Sequence, residues 1–331
     1  MKKKYNVYGI GNALVDLEFN VSHNFLEEHK VQKGLMTLVD EQTQHRLIEA
    51  IDHNNTERKS GGSAANTVIA VSQFGGKAFY SCKVASDEFG DFYLNDMKEA
   101  GIITNFDKQN PEDGITGKCL VMITDDADRT MNTFLGITST LSTKEVDEDA
   151  IKNSEYVYLE GYLVTSDNGV DAMKLVKQIA EENEVKTALT LSDPSIVHAF
   201  KNRFDEVIGA SVDLLFCNEE EAKTFTGKGN LLEAREELKK DAKRFVITQG
   251  KNGAMIFDGD TFIDIEPYSV KAVDTNGAGD MFAGAFLYGI TNGVGFANSG
   301  KLASLAGSKI VSQYGPRLKW HQAQEVLHQL K

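Results

Sequence analysis

Val273-Asp274-Thr275-Asn276-Gly277-Ala278-Gly279-Asp280 runs directly into Met281 to Ile290, an apolar, helix-compatible stretch without a charge. A glycine-broken turn feeding a buried helix is a place where an anion can sit. Gly277, Ala278 and Gly279 carry no bulk to hold a ligand away, and glycine reaches the positive φ angles that turn successive N–H groups toward one point. The helix dipole adds about half a positive charge at that end. An aspartate there would compete with a bound phosphate, so Asp280 needs another purpose. Taking the proton from an attacking hydroxyl supplies one, and the positive helix end should keep the carboxylate ionised. The plainer alternative is a loop whose aspartate caps a helix.

The chain leading to this turn has a regular rhythm. Tyr156 to Gly161, Thr187 to Ser192, Val212 to Cys217 and Phe245 to Thr248 read as strands, and an amphipathic helix carrying Val170, Met173, Val176 and Ile179 follows the first of them. Alternation of this kind predicts a parallel sheet covered by helices on both faces. Ligands of such sheets collect at the carboxyl ends of the strands. Asp193, Asn218 and Gln249 fall at those ends. Asn218 and Glu221 share a helix face one turn apart and suit a magnesium ion held through water; a capped, solvated acidic helix explains the same residues. Ala254 to Phe257 and Phe262 to Ile265 are further strand-like pieces, and Phe296 to Val311 is a helix followed by a turn at 313–317.

Tyr5 to Ile10 begins the chain as a strand and enters Gly9-Ile10-Gly11-Asn12-Ala13-Leu14-Val15-Asp16. A dinucleotide fingerprint requires a small residue at position 14 and a helix at once. Leu14 stands there instead, and Val15 to Val21 alternates like a second strand, which leaves a dehydrogenase poorly supported. Asn12 and Asp16 are placed to bond vicinal hydroxyls, or are a turn asparagine and a surface aspartate. Ser60-Gly61-Gly62-Ser63 is a second glycine turn entering a helix, with Asn66 in its first turn within reach of a ligand over the glycines. Val15 to Val21, Gly34 to Val39, Lys118 to Thr124 and Arg129 to Leu135 lie outside the strand–helix rhythm, the last two forming a hairpin across Asp125–Asp128. They predict a small β lid made from residues of about 14–40 and 115–136.

Composition bounds the partners. The chain has 331 residues, 41% hydrophobic and 25% charged, enough for one large α/β domain. A net charge of −14 argues against nucleic acid or an anionic membrane as partner, and no run approaches the length of a membrane span. Cys82, Cys119 and Cys217 are odd in number and far apart, which predicts buried thiols in a reducing cytoplasm rather than disulfides or zinc. No signal peptide is expected from Lys2 to Lys4.

With Gly61-Gly62, Asn218-x-x-Glu221 and Asp274-Thr-Asn-Gly-Ala-Gly-Asp280 in this order, the chain resembles the ribokinase or pfkB carbohydrate kinases along nearly its whole length. The resemblance implies a single ribokinase-like domain over 1–331: a three-layer α/β/α sandwich with a mostly parallel sheet and a β lid. It implies ATP and Mg2+, with K+ as a candidate monovalent cation, and γ-phosphoryl transfer to a primary hydroxyl. By the same likeness Asp280 is the base, the amides of Gly277, Ala278 and Gly279 hold the migrating charge, and Asn218 and Glu221 organise magnesium. Thr248 and Gly250 lie along the nucleotide, while Asp274, near Ser312 to Gly315, positions the monovalent cation.

Within the family the N-terminal part looks like the adenosine kinase branch. Gly11-Asn12-x-x-x-Asp16 and Gly62-Ser63-x-x-Asn66 match a ribose-gripping pattern, and Tyr162 falls where that branch has an aromatic near the purine. Arg129-Thr130-Met131 looks like a bacterial nucleoside or sugar kinase subgroup. The lid residues Leu14, Met36, Val121 and Phe134 are apolar without specifying a purine. The expectation is therefore an adenosine kinase-like enzyme acting on a small-molecule nucleoside as a monomer or homodimer. A ribokinase- or fructokinase-like sugar kinase and a non-catalytic sugar- or nucleoside-binding module are the alternatives.

Overall fold

The computed structural model describes residues 3–34, 36–51, 57–126 and 129–329. In chain order, β1 (Tyr5–Ile10) is followed by an excursion through β2 (Leu14–Asn20), β3 (Met36–Leu38) and β4 (Glu57–Gly61). The chain then returns through β5 (Ala78–Ser81) and β6 (Ile103–Thr104) and leaves again in the hairpin β7 (Gly117–Ile123) and β8 (Arg129–Phe134). It closes with β9 (Ser154–Leu159), β10 (Lys186–Thr190), β11 (Leu214–Asn218), β12 (Phe245–Thr248), β13 (Ala254–Phe257) and β14 (Phe262–Ile265).

A nine-stranded sheet has the order β14-β13-β12-β11-β10-β9-β1-β5-β6. Its pairings are parallel from β12 to β6 and antiparallel at β12–β13 and β13–β14. Both faces are covered, and the period-2 geometry of strands divides their side chains between two cores. Val7, Tyr156, Tyr158, Leu214 and Phe216 pack with the helices Ser63–Gln73, Ala278–Thr291 and Phe296–Val311. Tyr8, Val157, Leu159, Leu215 and Cys217 pack on the other side with Asp167–Glu182, Pro194–Ile208 and Glu219–Thr226. This is the three-layer sandwich that the strand–helix rhythm predicts.

The lid is a second sheet in the order β3-β8-β7-β2-β4. It contains one strand more than the sequence pattern predicts: β4, whose polar run Glu57-Arg58-Lys59-Ser60 pairs antiparallel with β2 and carries no apolar alternation to announce it. Residues 127 and 128 of the expected hairpin turn and Leu35 of the expected strand lie outside the described residues. One lid face is a core: Val15, Leu17, Phe19, Leu120 and Met122 are buried with Leu26 and Leu47 of the helices His23–Glu28 and Glu41–Ala50. Its other face looks into a cleft. No described helix is long and apolar enough to cross a membrane, and the three cysteines are free and buried.

Phe286 ties the helix behind the glycine turn to the sheet. It is fully buried, meets Phe216 edge-on with ring centroids 5.8 Å apart, and also meets Phe296 at 5.6 Å. Replacing it with alanine should cost about 3–5 kcal/mol through lost burial and a residual cavity, measured as a lower midpoint in urea unfolding.

Candidate active site

Two helix starts form the corner on which the site is built. Helix Ser63–Gln73 begins after Gly62, where φ is 105° and an added Cβ would stand 2.1 Å from the Asn12 carbonyl oxygen. Helix Ala278–Thr291 begins after Gly277, where φ is 72° and an added Cβ would meet Pro316 at 2.5 Å. Only glycine fits either place. The helices approach closely at Gly284, whose missing Cβ would lie 2.5 Å from both the Ala70 side chain and the Thr67 carbonyl oxygen. Ser63 and Asn66 contact Asp280 one turn nearer the starts, so the helices run side by side in the same direction and two N-termini open at one point.

Asp280 is the third residue of its helix, not its cap. Oδ1 accepts a hydrogen bond from Ser63 Oγ at 2.6 Å and Oδ2 accepts one from Asn66 Nδ2 at 3.1 Å. Desolvation pushes its pKa up to about 6, against the pull of these two donors. The sequence predicts that the helix end keeps this group ionised; desolvation acts the other way and outweighs the two side-chain donors. At neutral pH the carboxylate remains mostly ionised, with a pKa suited to accepting a proton. Of the adjacent amides, that of Ala278 turns back to the Thr275 carbonyl at 3.3 Å. Gly279 faces open space, with nothing within 4 Å of an added Cβ.

The cleft at this corner has a volume of about 700 Å3, within the range of small-molecule sites. Asn12, Asp16, Gly62, Asn66, Tyr162, Asn218, Glu221, Thr248, Asp274, Gly277, Ala278, Gly279 and Asp280 all line it. Two expected residues do not. Gly61 instead supports Asp16, because a Cβ there would stand 2.4 Å from the Asp16 carboxylate, and its carbonyl accepts from Tyr93 Oη. Gly250 is exposed outside the lining, with φ of 56° at the start of the turn Gly250–Asn252. From the lid, Leu14, Met36, Leu38, Val121, Met131 and Leu135 present an apolar row, joined by Cys119 and Thr133. Phe134 points elsewhere, as strand alternation requires once Thr133 and Leu135 face the cleft.

Asn218 and Glu221 form a reciprocal cap. Asn218 Oδ1 accepts from the Glu221 N–H at 2.8 Å, while the Glu221 carboxylate accepts from the Asn218 N–H at 2.9 Å and from Nδ2 at 2.6 Å. Burial pushes the Glu221 pKa up to about 7. The helix cap and the cleft position coexist, and a smaller cavity of about 90 Å3 is lined by Asn218, Glu221, Thr248 and Asp280 together. Asp274 is buried; Oδ1 accepts from the Asn276 N–H at 3.0 Å and Oδ2 from the Gly315 N–H at 2.8 Å. Arg129 of the lid lies 2.9 Å from Oδ2. The counter-charge of Asp274 is thus a guanidinium, which occupies the carboxylate where the sequence reading expects a monovalent cation.

Glu160 is the residue whose part sequence spacing does not announce. At the end of β9 it is buried, and Oε1 accepts from the Asn12 backbone N–H at 3.0 Å and from Asn12 Nδ2 at 2.9 Å. Oε2 accepts from the Ala64 N–H at 2.8 Å, so one side chain clamps the end of β1 to the glycine turn at 61–63. Gly11 leaves room for it, since a Cβ there would stand 2.4 Å from Oε2. Burial pushes its pKa up to about 7. A lone carboxylate ending the apolar run Tyr156 to Leu159 was the available signal. Asp16 is likewise pushed up to about 7 by desolvation, which Arg317 opposes.

Residues 33–323 match the pfkB family carbohydrate kinase profile. The chain belongs to the pfkB family. It is therefore a sugar or nucleoside kinase, a phosphotransferase with an alcohol acceptor. Adenosine kinase of Saccharomyces cerevisiae is 28% identical over 328 residues, 93% of this chain and 95% of the relative. The crystal structure of adenosine kinase from Sinorhizobium meliloti is 33% identical with a TM-score of 0.89, covering 97% of this chain and 99% of that one. A probable sugar kinase from Rhizobium etli is 30% identical with a TM-score of 0.90, covering 99% and 100%. This pfkB kinase thus stands near relatives of both acceptor classes.

Changing Glu160 to Gln places an NH2 group against N–H donors and leaves at least one buried donor unpaired. The expected cost is about 1–3 kcal/mol in stability, together with a raised KM for the acceptor, checked by denaturant titration and steady-state kinetics. The pH profile supplies a second check. If Asp280 takes the proton of the acceptor hydroxyl it must be ionised, and its raised pKa means that the active form is lost as pH falls through about 6. Activity should therefore decline on the acid side near that value rather than near the ordinary aspartate range.

Proposed function

We propose that this kinase transfers the γ-phosphoryl group of ATP to the 5′-hydroxyl of adenosine or a closely related nucleoside. The observation that carries the proposal is the two-sided cleft. Asn12, Asp16 and Asn66 offer polar groups suited to a ribose, and Leu14, Met36, Leu38, Val121 and Met131 offer an apolar face suited to a flat base. Leu38 is 51% exposed there, so a bare sugar would leave that face uncovered. The adenosine kinases of S. cerevisiae and S. meliloti support the same acceptor.

In this scheme Asp280, oriented by Ser63 and Asn66, takes the proton from the attacking hydroxyl. Gly62 lets the ribose approach, and Tyr162 stands beside the base. The N–H groups at Gly277 and Gly279 meet the migrating phosphoryl group, that of Ala278 being turned back to the Thr275 carbonyl, and two helix N-termini aid them. Asn218, Thr248 and Gly250 follow the nucleotide, Gly250 from outside the described cleft. Phosphoryl transfer needs positioning and charge neutralisation more than covalent chemistry. In the small cavity between Asp280 and Glu221, the oxygens of Glu221 and Asn218 suit a magnesium ion held through water, because the ion parts from its shell reluctantly. Bound there, it would neutralise phosphate charge. The pairing of Arg129 with Asp274 argues against direct potassium ligation by that carboxylate, and potassium has no part in the scheme.

The R. etli relative favours a second acceptor class, a free sugar. A panel of nucleosides, ribose and fructose, ranked by kcat/KM with ATP and magnesium, separates the two. Adenosine should lead; a sugar leading by a wide margin would refute the nucleoside assignment. In the same assay Asp280→Asn should lower kcat by about 10²–10⁴-fold while ATP binding by calorimetry is retained.

A further inference from the structure

We infer that Arg317 is a positioning residue for Asp280, acting through the side-chain amide of Asn66. The inference rests on Asp280 being the base. Arg317 comes from the segment after helix Phe296–Val311, far from the glycine turns in sequence. Its Nε donates to Asn66 Oδ1 at 3.3 Å, Nη1 to Asp96 Oδ2 at 2.7 Å and Nη2 to Ser60 Oγ at 2.7 Å. Asp96 and Ser60 are bonded to each other, the Ser60 N–H donating to Asp96 Oδ2 at 3.0 Å. The Arg317 side chain is 14% exposed and its guanidinium is held at three corners.

The chemistry of the two groups gives this chain of contacts a direction. A guanidinium only donates, whereas an amide has one accepting end and one donating end. With Arg317 on its oxygen, Asn66 must turn its NH2 group to Asp280, as the 3.1 Å contact to Oδ2 records. Remove the guanidinium and the amide can reverse, placing an oxygen against the carboxylate. That arrangement repels the ionised base and favours its protonated form. The neighbouring residues have related tasks. The Gly315 N–H donates to Asp274, and Pro316 packs on Gly277, so three consecutive residues each brace a different part of the site.

Arg317→Met should lower kcat by about 10- to 100-fold with the KM for ATP little changed, and should move the acid limb of the pH profile upward. The groups facing Asp280 are Ser63, Asn66, Glu160, Tyr158 and Tyr162. Of these the substitution acts on Asn66 alone; it also removes the charge that opposes the upward shift of Asp16, a part of the pH change that persists in the Asn66→Leu background. Arg317→Gln retains an NH2 donor and should recover part of the loss; it also serves if the methionine variant does not fold. A double-mutant cycle with Asn66→Leu distinguishes positioning from general support: once Asn66 is gone, the change at Arg317 should cost no further turnover. Wild-type kcat and pH profile in a folded Arg317→Met enzyme, or full additivity with Asn66→Leu, would overturn the inference. Asp280→Asn is measured alongside. If that variant retains turnover the base assignment fails, and if it is inactive while Arg317→Met is unaffected, only the positioning role fails.

Discussion

Everything at this site depends on keeping a carboxylate charged in a place that disfavours charge. Asp280 sits where desolvation outweighs its two side-chain donors and leaves its pKa at about 6 instead of 3.8, a net shift worth roughly 3 kcal/mol at 1.36 kcal/mol per unit. The fold answers with two donors from the neighbouring helix and with two helix N-termini aimed at the same corner. Each compensation is small, and together they leave an aspartate that is ionised near neutrality yet willing to accept a proton. A less buried carboxylate would be the weaker base.

That balance explains why so much of the molecule serves to hold backbone close to backbone. Gly284 lets two helices touch, Gly62 and Gly277 let two turns close, and Gly11 admits the Glu160 carboxylate that joins the first turn to β1. The lid follows the same economy of space. Its sheet has a packed face, which gives it a core with two helices, and an uncovered apolar face, which waits for a ligand. Arg129 joins that lid to Asp274, at the start of the turn leading to Asp280. The lid and the turn leading to Asp280 are therefore joined by an ion pair shielded from water, where screening is weak.

Much of the site was legible because its chemistry is local. Glycines flanking a polar residue before an apolar helix mark the turns at 61–63 and 277–280, and the strand–helix rhythm marks the sheet and its carboxyl ends. Glu160 and Arg317 were harder to read, since each acts on residues distant in the chain: Glu160 on Asn12 and Ala64, Arg317 on Asn66, Asp96 and Ser60. β4 escaped notice for a different reason. Its sequence is polar, and only pairing to β2 makes it a strand.

The layers, the two glycine turns and the candidate base are legible in the chain alone, because periodicity and backbone freedom are properties of short stretches. Tertiary structure alone decided which way the Asn66 amide points, what neutralises Asp274 and how basic Asp280 becomes. Those depend on distances between residues hundreds of positions apart and on how much water the fold removes from around them. Neither quantity is written in any local stretch of chain.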